Sequence, residues 1–390
     1  MCIRQIVAIL CFAFALTVGA ADPPLAEHTD EGFAVPQPGH ELSFPAAHGS
    51  HPAFKIEWWY ITGHLYAGER RFGFQATFFR FATRPPAGDA TAAVATENVD
   101  FQTGELHLAH MSLLDVATGT FYHQERLNRA GWDAAATVGR VAVHNGSWSL
   151  KAVPDATAAE AADPPMQLRG GVRGEVAWDL RLRPAQPHVI FGVDGVSRKG
   201  AADTAASYYI TYPRLATTGS LRLGEETLAV TGQTWMDHEI SSSQLGERQV
   251  GWDWTSIQLD DGRALMVYIL RRDDGTPDPY STLAWIEADG TVRHQAVADF
   301  SMKATRHWTS PHTGGEYPVA WTLSSRDPAT GAERTLRLEP LADDQEVRGV
   351  LGRVTYWEGA CRVLDADGTA IGSAYLELTG YAESMQGRLR

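Results

Sequence analysis

Cysteine is nearly absent from the part of this chain that can fold, and that scarcity removes a disulfide framework from consideration. The 390-residue sequence holds three cysteines, of which Cys2 and Cys11 lie in a leader-like N-terminal stretch and only Cys361 lies beyond it. One thiol makes no intramolecular bridge, so stability is expected from packing, with Cys361 as a small buried apolar residue. Basic charge is also short: 33 Lys and Arg against 47 Asp and Glu leave a formal net charge of −14, with no basic stripe or arginine-rich arm. Such a chain is repelled by phosphate backbones and anionic lipid surfaces, which argues against nucleic acid as a partner. Missing too are a Gly-x-Ser-x-Gly elbow, a His-Glu-x-x-His motif, a Gly-rich phosphate loop and a Cys-x-x-Cys pair. Ordinary hydrolase, kinase and redox readings thereby lose most of their support. Long helical periodicity is scarce, and without alternating helical segments a nucleotide-binding α/β fold is disfavoured.

What is present begins with export chemistry. Arg4 precedes an apolar run from Ile6 to Val18, then Gly19, Ala20 and Ala21 lead into Asp22-Pro23-Pro24. This is the pattern of a secretory signal over residues 1–21, too short to span a membrane comfortably, and it implies a periplasmic or secreted protein. Its removal takes away Arg4 and leaves the mature chain one charge more negative. Residues 22–52, rich in proline, read as an extended lead-in, with order expected from near Phe54. Beyond it period-two alternation dominates, as in Val176, Trp178, Leu180 and Leu182 against Ala177, Asp179 and Arg181, which is a half-buried strand. Asn145-Gly146 and Asp261-Gly262 each separate two such runs and read as hairpin turns. Arg84–Glu97 and Pro154–Pro165 read as surface loops, the second as mobile. A boundary near Thr234 divides residues 53–234 from 235–390.

Three segments concentrate residues that are costly to bury. In Glu57-Trp58-Trp59-Tyr60, strand geometry puts Glu57 with Trp59 on one face and Trp58 with Tyr60 and His64 on the other. A carboxylate beside an indole suits a proton donor of raised pKa; pairing with Arg71 or Arg80 is the structural alternative. In Trp235-Met236-Asp237-His238-Glu239, Asp237 and Glu239 face together and His238 opposes them. The three therefore do not ligate one metal without a bulge, whereas two carboxylates on one face suit an acid and base pair or a structural ion-pair network. In Gly251-Trp252-Asp253-Trp254, the two tryptophans share a face, as a ligand wall or as barrel core, and Asp253 points the other way. Weaker clusters occur at His107 to His110, Tyr208-Tyr209 and Tyr356-Trp357-Glu358.

These segments resemble the lipocalin-like family of AttH and hydroxyneurosporene synthase (CrtC) proteins, in its secreted branch. The resemblance runs through Glu57-Trp58-Trp59-Tyr60, Phe72-Gly73-Phe74-Gln75, Thr77-Phe78-Phe79-Arg80, Ala109-His110, Trp235 to Glu239, Gly251 to Trp254 and Tyr375 to Tyr381. It implies an all-β fold of two tandem lipocalin-like (calycin-type) antiparallel β-barrel domains packed together. It also implies acid-catalysed addition of water across a carbon–carbon double bond, as in carotenoid 1,2-hydratases, on a hydrophobic isoprenoid or lipid-like ligand. Carried onto this sequence, Asp237, His238, Glu239 and Asp253 are the expected catalytic residues. Glu57, Trp59, Tyr60, His110, Trp235, Trp252, Trp254 and Tyr268 are the expected ligand contacts, and neither metal nor cofactor is required. Two other readings stand beside the hydratase: a non-catalytic periplasmic lipid carrier or accessory of an envelope ABC transport system, and a hydrolase working through paired carboxylates.

Overall fold

Alternation carries directly into strands: Val176, Trp178, Leu180 and Leu182 are buried while the residues between them reach solvent. The chain is described by a computed structural model over residues 23–86, 104–153 and 162–389. Residues 1–22 with Cys2 and Cys11, on which the expected secretory signal falls, most of the Arg84–Glu97 segment, and residues 154–161 of the second expected loop lie outside the described residues.

The first sheet contains β1 (Ile56–Ala67), β2 (Arg70–Ala82), β3 (Glu105–Asp115), β4 (Thr120–Arg129), β5 (Ala134–Ala136), β6 (Ala142–Asn145), β7 (Trp148–Ala152), β8 (Met166–Val172), β9 (Val176–Pro184), β10 (Val189–Phe191), β11 (Ser197–Arg198), β12 (Ala206–Leu223) and β13 (Glu226–Ser243). Its order is β4-β3-β2-β1-β13-β12-β9-β8-β7-β6-β5, with β10 and β11 on the flank of β12. The second contains β14 (Gln249–Leu259), β15 (Ala264–Arg272), β16 (Thr282–Ile286), β17 (Val292–Ala296), β18 (Phe300–Thr309), β19 (Glu316–Arg326), β20 (Glu333–Pro340), β21 (Glu346–Arg348), β22 (Thr355–Leu364) and β23 (Ala370–Thr379). It runs β17-β16-β15-β14-β23-β22-β20-β19-β18, with β21 beside β22. All pairings are antiparallel, and in both sheets the first strand pairs with the last, β1 with β13 and β14 with β23. Register shifts within β12 at Ala206/Ser207 and Tyr212/Leu215 let that long strand bend. The first sheet forms a nearly closed barrel and the second a half-barrel, so the fold is the expected pair of lipocalin-like domains.

Each barrel has its own core. Trp59, Phe72, Phe74, Phe78, Trp148 and Met236 fill the first, and Trp285, Trp321, Trp357, Leu376 and Leu378 the second. Cys361 packs into the second core as expected, and burial pushes its thiol pKa up. The hairpins form where expected, though the first turn is Gly146-Ser147: Asn145 stays in β6 because its side chain holds Asn128 and the His107 carbonyl.

Two boundaries differ from expectation. Residues Trp235–Ser243 remain in the first sheet as the second half of β13, so the change of sheet falls between Ser243 and Gln249. The aromatic and acidic character that marked Trp235 reports a strand facing the other barrel, and composition alone does not distinguish that from a boundary. The lead-in, read as merely extended, is packed: Phe33, Val35, His48 and Ser50 are buried, and a short 3₁₀ turn forms at Ala46–His48. Polar anchors order it, since Ser50 and the His51 backbone donate to the buried Glu57 carboxylate and the His48 carbonyl accepts from Trp59 Nε1. Among the described residues no helix is long and apolar enough to cross a membrane.

Close contact between the barrels depends on Gly73 of β2, where any Cβ would overlap that of Ala360 on β22. Ala360 lies in a small buried cluster with Leu114 and Tyr375. Gly73→Ala is expected to destabilise the protein by about 1–3 kcal/mol, as overpacking of a tight interior does. Urea unfolding checks this; an unchanged midpoint would mean that the barrels are not tightly docked there.

Candidate functional site

Strand register, more than any single residue, builds the site. On the outer face of the first barrel, His110 (β3), Thr77 (β2), Tyr60 (β1), Asp237 (β13) and Thr211 (β12) are successive cross-strand partners and form one transverse row. The next row is Leu108, Phe79, Trp58, Glu239 and Tyr209. The second barrel answers with Tyr268 (β15), Trp254 (β14), Glu377 (β23) and Glu358 (β22), and beside it Leu270, Trp252, Thr379 and Tyr356. Side chains of these rows, all but Thr211 and Glu358, line a cavity of about 1000 Å³, its open mouth included, between the two barrels. Leu245, Met385 and Leu389 also line it.

The cavity wall is mostly aromatic, and its acids are exceptions that need a physical account. Asp237 is fully buried, which pushes its pKa up to about 7 even though Thr211 (2.5 Å), Tyr209 (2.8 Å) and Trp235 Nε1 (2.8 Å) all donate to the carboxylate. Trp254 Nε1 in turn donates to the Tyr209 hydroxyl at 2.9 Å, so a chain of hydrogen bonds crosses from one barrel to the other. Burial likewise raises Glu377 to about 7 against donation from Thr379 and Trp252, and Asp237 and Glu239 add to the rise. Glu358 stands directly opposite Glu377 on the adjacent strand. Two facing carboxylates do not both ionise in so dry a place. Burial and then Glu377 hold Glu358 well above the usual range, and it accepts a 2.5 Å hydrogen bond from the Tyr60 hydroxyl. Glu239 instead pairs with Lys199 at 2.9 Å, and the ammonium lies over the rings of Tyr268 (4.3 Å) and Tyr209 (4.6 Å). Burial alone would lower the Lys199 pKa, but Glu239 overrides it and keeps the amine charged. The site thus offers two carboxyls poised to hold or release a proton near neutrality beside π-faces able to stabilise a cation.

Of the residues expected from sequence, Asp237, Glu239, Tyr60, His110, Trp252, Trp254 and Tyr268 line this cavity. Trp235 does not reach it but donates to Asp237 from behind. Four others lie elsewhere. His238 and Trp59 turn into the first barrel, where their rings stack 4.6 Å apart. Glu57 forms a buried 2.9 Å ion pair with Arg80 and also meets His238 and His51 at 2.9 Å. Arg80 overcomes the burial penalty and holds the Glu57 carboxyl well below the usual range, the reverse of a proton donor. Asp253 points into the second barrel, held by Tyr381 (2.8 Å) and Arg271 (3.2 Å). Sequence reasoning assigned none of Trp58, Lys199, Tyr209, Tyr356 and Glu377 to the site, nor Glu358 as their buried neighbour, although Trp58 stood in the first segment and Tyr209, Tyr356 and Glu358 in the weaker clusters. Period-two alternation already placed Trp58 beside Tyr60; the others depend on pairings between distant strands.

Two lipocalin-like barrels with an acid-bearing, aromatic cavity at their junction define the class to which this protein belongs. The AttH-like family model matches residues 35–381, and the chain belongs to the AttH-like family. A crystal structure of an AttH-type protein from Nitrosomonas europaea is similar at 33% identity and a TM-score of 0.74, covering 90% of this chain and all of that one. Kievitone hydratase from Nectria haematococca shares the fold at 13% identity and a TM-score of 0.63, covering 93% and 98%. CghA, solved with Sch210972, does so at 13% and 0.51, covering 90% and 97%. No protein of curated function matches the sequence.

The raised carboxyls carry a stability signature. In the folded chain Asp237 keeps its proton up to about pH 7, while the unfolded chain releases it near 3.8. The folded state therefore binds the extra proton between these values. Its stabilising effect is full below about pH 4 and is lost as pH rises to about 7, on the order of 4 kcal/mol at most. Asp237→Asn cannot ionise, so its melting temperature is expected to fall less steeply than the wild type's from about pH 5 to 8. Parallel melting curves would contradict the placement of Asp237 in a dry site.

Proposed function

We propose that the junction cavity binds an elongated apolar ligand, isoprenoid or lipid-like, and adds water across one of its carbon–carbon double bonds. The observation that carries this reading is the pairing of Asp237 and Glu377, both near pKa 7, with an aromatic wall. Protonated Asp237 gives its proton to one alkene carbon, and the cation left on the neighbouring carbon is stabilised by the faces of Trp252, Trp254 and Tyr268. Glu377 takes a proton from water as the oxygen bonds to that carbon; the products are one new C–H and one new C–OH bond. Passage of the proton from Glu377 to Asp237 through solvent restores the starting state. Kievitone hydratase, whose name states this class of reaction, shares the fold and is consistent with the proposal.

A second reading is a non-catalytic carrier of lipid, exported through the leader and serving an envelope transport system. The apolar lining supports it as well as it supports catalysis.

The two readings separate when the protein, purified from its own envelope extract, is examined by native mass spectrometry and any released ligand is returned to it in heavy-oxygen water. Hydration predicts that the ligand gains one labelled water. It also predicts that Asp237→Asn retains binding and loses turnover by at least about 100-fold, the lower end for removing a general acid. A ligand recovered unchanged from wild-type protein would overturn the hydratase reading in favour of the carrier.

A further inference from the structure

Outside the cavity, the first barrel gathers four metal-ligating side chains from four separate segments. His48 comes from the 3₁₀ turn of the lead-in, Asp163 from the stretch before β8, His188 from the connection between β9 and β10, and Tyr212 from β12. Ligand atoms of His48, Asp163 and His188 all lie within 4.8 Å of one another. His188 Nδ1 is 2.5 Å from Asp163 Oδ1, the Tyr212 hydroxyl is 2.7 Å from His48 Nε2, and His48 Nε2 is 3.8 Å from Asp163 Oδ1. Ligands about 2.0–2.1 Å from a tetrahedral zinc ion stand roughly 3.3 Å apart, and these spacings bracket that value.

His48 Nε2 faces three oxygens: the Ala162 carbonyl at 3.1 Å, the Tyr212 hydroxyl and the Asp163 carboxylate. Carbonyl and carboxylate oxygens only accept, and a single ring nitrogen carries one proton at most. Without an ion, Nε2–H donates to the Ala162 carbonyl while Tyr212 and His188 donate to Asp163; with those protons gone, an imidazole lone pair and the carboxylate converge in a pocket where His48 has no exposure at all. A cation at the centre takes the place of those protons, as metal binding to imidazole and carboxylate ligands does. The site also has a door, since Asp163 and His188 remain 23% and 15% exposed while His48 forms the floor.

We propose that His48, Asp163, His188 and Tyr212 bind a divalent first-row transition ion, zinc foremost, which staples the lead-in and the Asp163 segment to the first barrel. Two imidazoles, a carboxylate and a hydroxyl suit that class of ion better than calcium or magnesium, which prefer all-oxygen shells. With Cys361 the one cysteine among the described residues, such an ion supplies the cross-link that a disulfide supplies elsewhere. A neighbouring triad, His51, Glu57 and His238, is a weaker candidate. Both Glu57 oxygens there are already engaged, by His51 and His238 on one and by Ser50, the His51 backbone and Arg80 on the other, and the guanidinium repels a cation. None of the four proposed ligands lines the junction cavity, so this inference is independent of the proposed reaction.

The test is calorimetric titration of zinc into metal-depleted full-length protein, with Asp163→Asn and His188→Ala variants, both at partly exposed positions, and His51→Ala as control. One equivalent bound by wild type and by His51→Ala, weakened at least about 10-fold in each of the other two variants, is the expected result. Cobalt substitution should give the visible absorption of a four-coordinate centre in wild type, lost in His188→Ala. No zinc uptake by wild type, uptake unchanged in Asp163→Asn and His188→Ala, or uptake abolished by His51→Ala would each overturn the assignment.

Discussion

The antiparallel pairing of β1 with β13 sets Tyr60 opposite Asp237 and Trp59 opposite His238, and the rest of the junction depends on that register. Because side chains alternate across a strand, a slip of one residue would send Asp237 into the first barrel and His238 into the cavity. Inside the barrel, Glu57 is the registry device. It is the cross-strand partner of Arg80 on β2 and meets His238 on β13, so one carboxylate joins three strands. Charge buried in this way adds little net stability but is strongly destabilising once a partner is lost, which penalises every other register. The acids outside the barrel share the strand register that this ion pair spans, and Thr211, Tyr209, Trp235 and Lys199 hold them there.

The second barrel supplies what the first cannot. Tyr60, Asp237 and Glu239 on an isolated barrel would face water, and their pKa values would relax toward ordinary ones. Covering them with Trp252, Trp254 and Tyr268 removes that water. The same closure brings Glu377 and Glu358 into the region. Burial that weakens ionisation and aromatic surface that tolerates a cation therefore arise from one event, the docking of two convex faces with a gap between them. Gly73 permits the docking at one end, and the Trp254–Tyr209–Asp237 hydrogen-bond chain spans it at the other.

Much of this was legible in the residues themselves. Alternation assigned Asp237 and Glu239 to one face and His238 to the other, and likewise Trp252 and Trp254 against Asp253; the faces are as expected. What alternation cannot give is which face looks inward. For β1 and β13 both faces are buried, one by the barrel core and one by the neighbouring barrel, so Glu57 and Tyr60 look alike in sequence. Glu358 showed only as part of a weak cluster and Glu377 only within a matching run, because their importance lies in being opposite each other, with Glu358 bonded to Tyr60 across 298 residues of chain. His48, Asp163 and His188 escaped for the same reason, having no spacing that a local motif could reveal.

The central claim is that carboxyl groups at the junction stay protonated into the neutral range, and infrared difference spectroscopy between about pH 6 and 8 tests it most directly, since ordinary carboxyls are already ionised there. Loss of a protonated-carboxyl C=O band across that interval is the expected result. Asp237→Asn should remove one component and Glu377→Gln another. A spectrum in which no carboxyl titrates above about pH 5 would contradict the account, because the junction would then be wet and neither acid could serve as the proposed proton donor or acceptor.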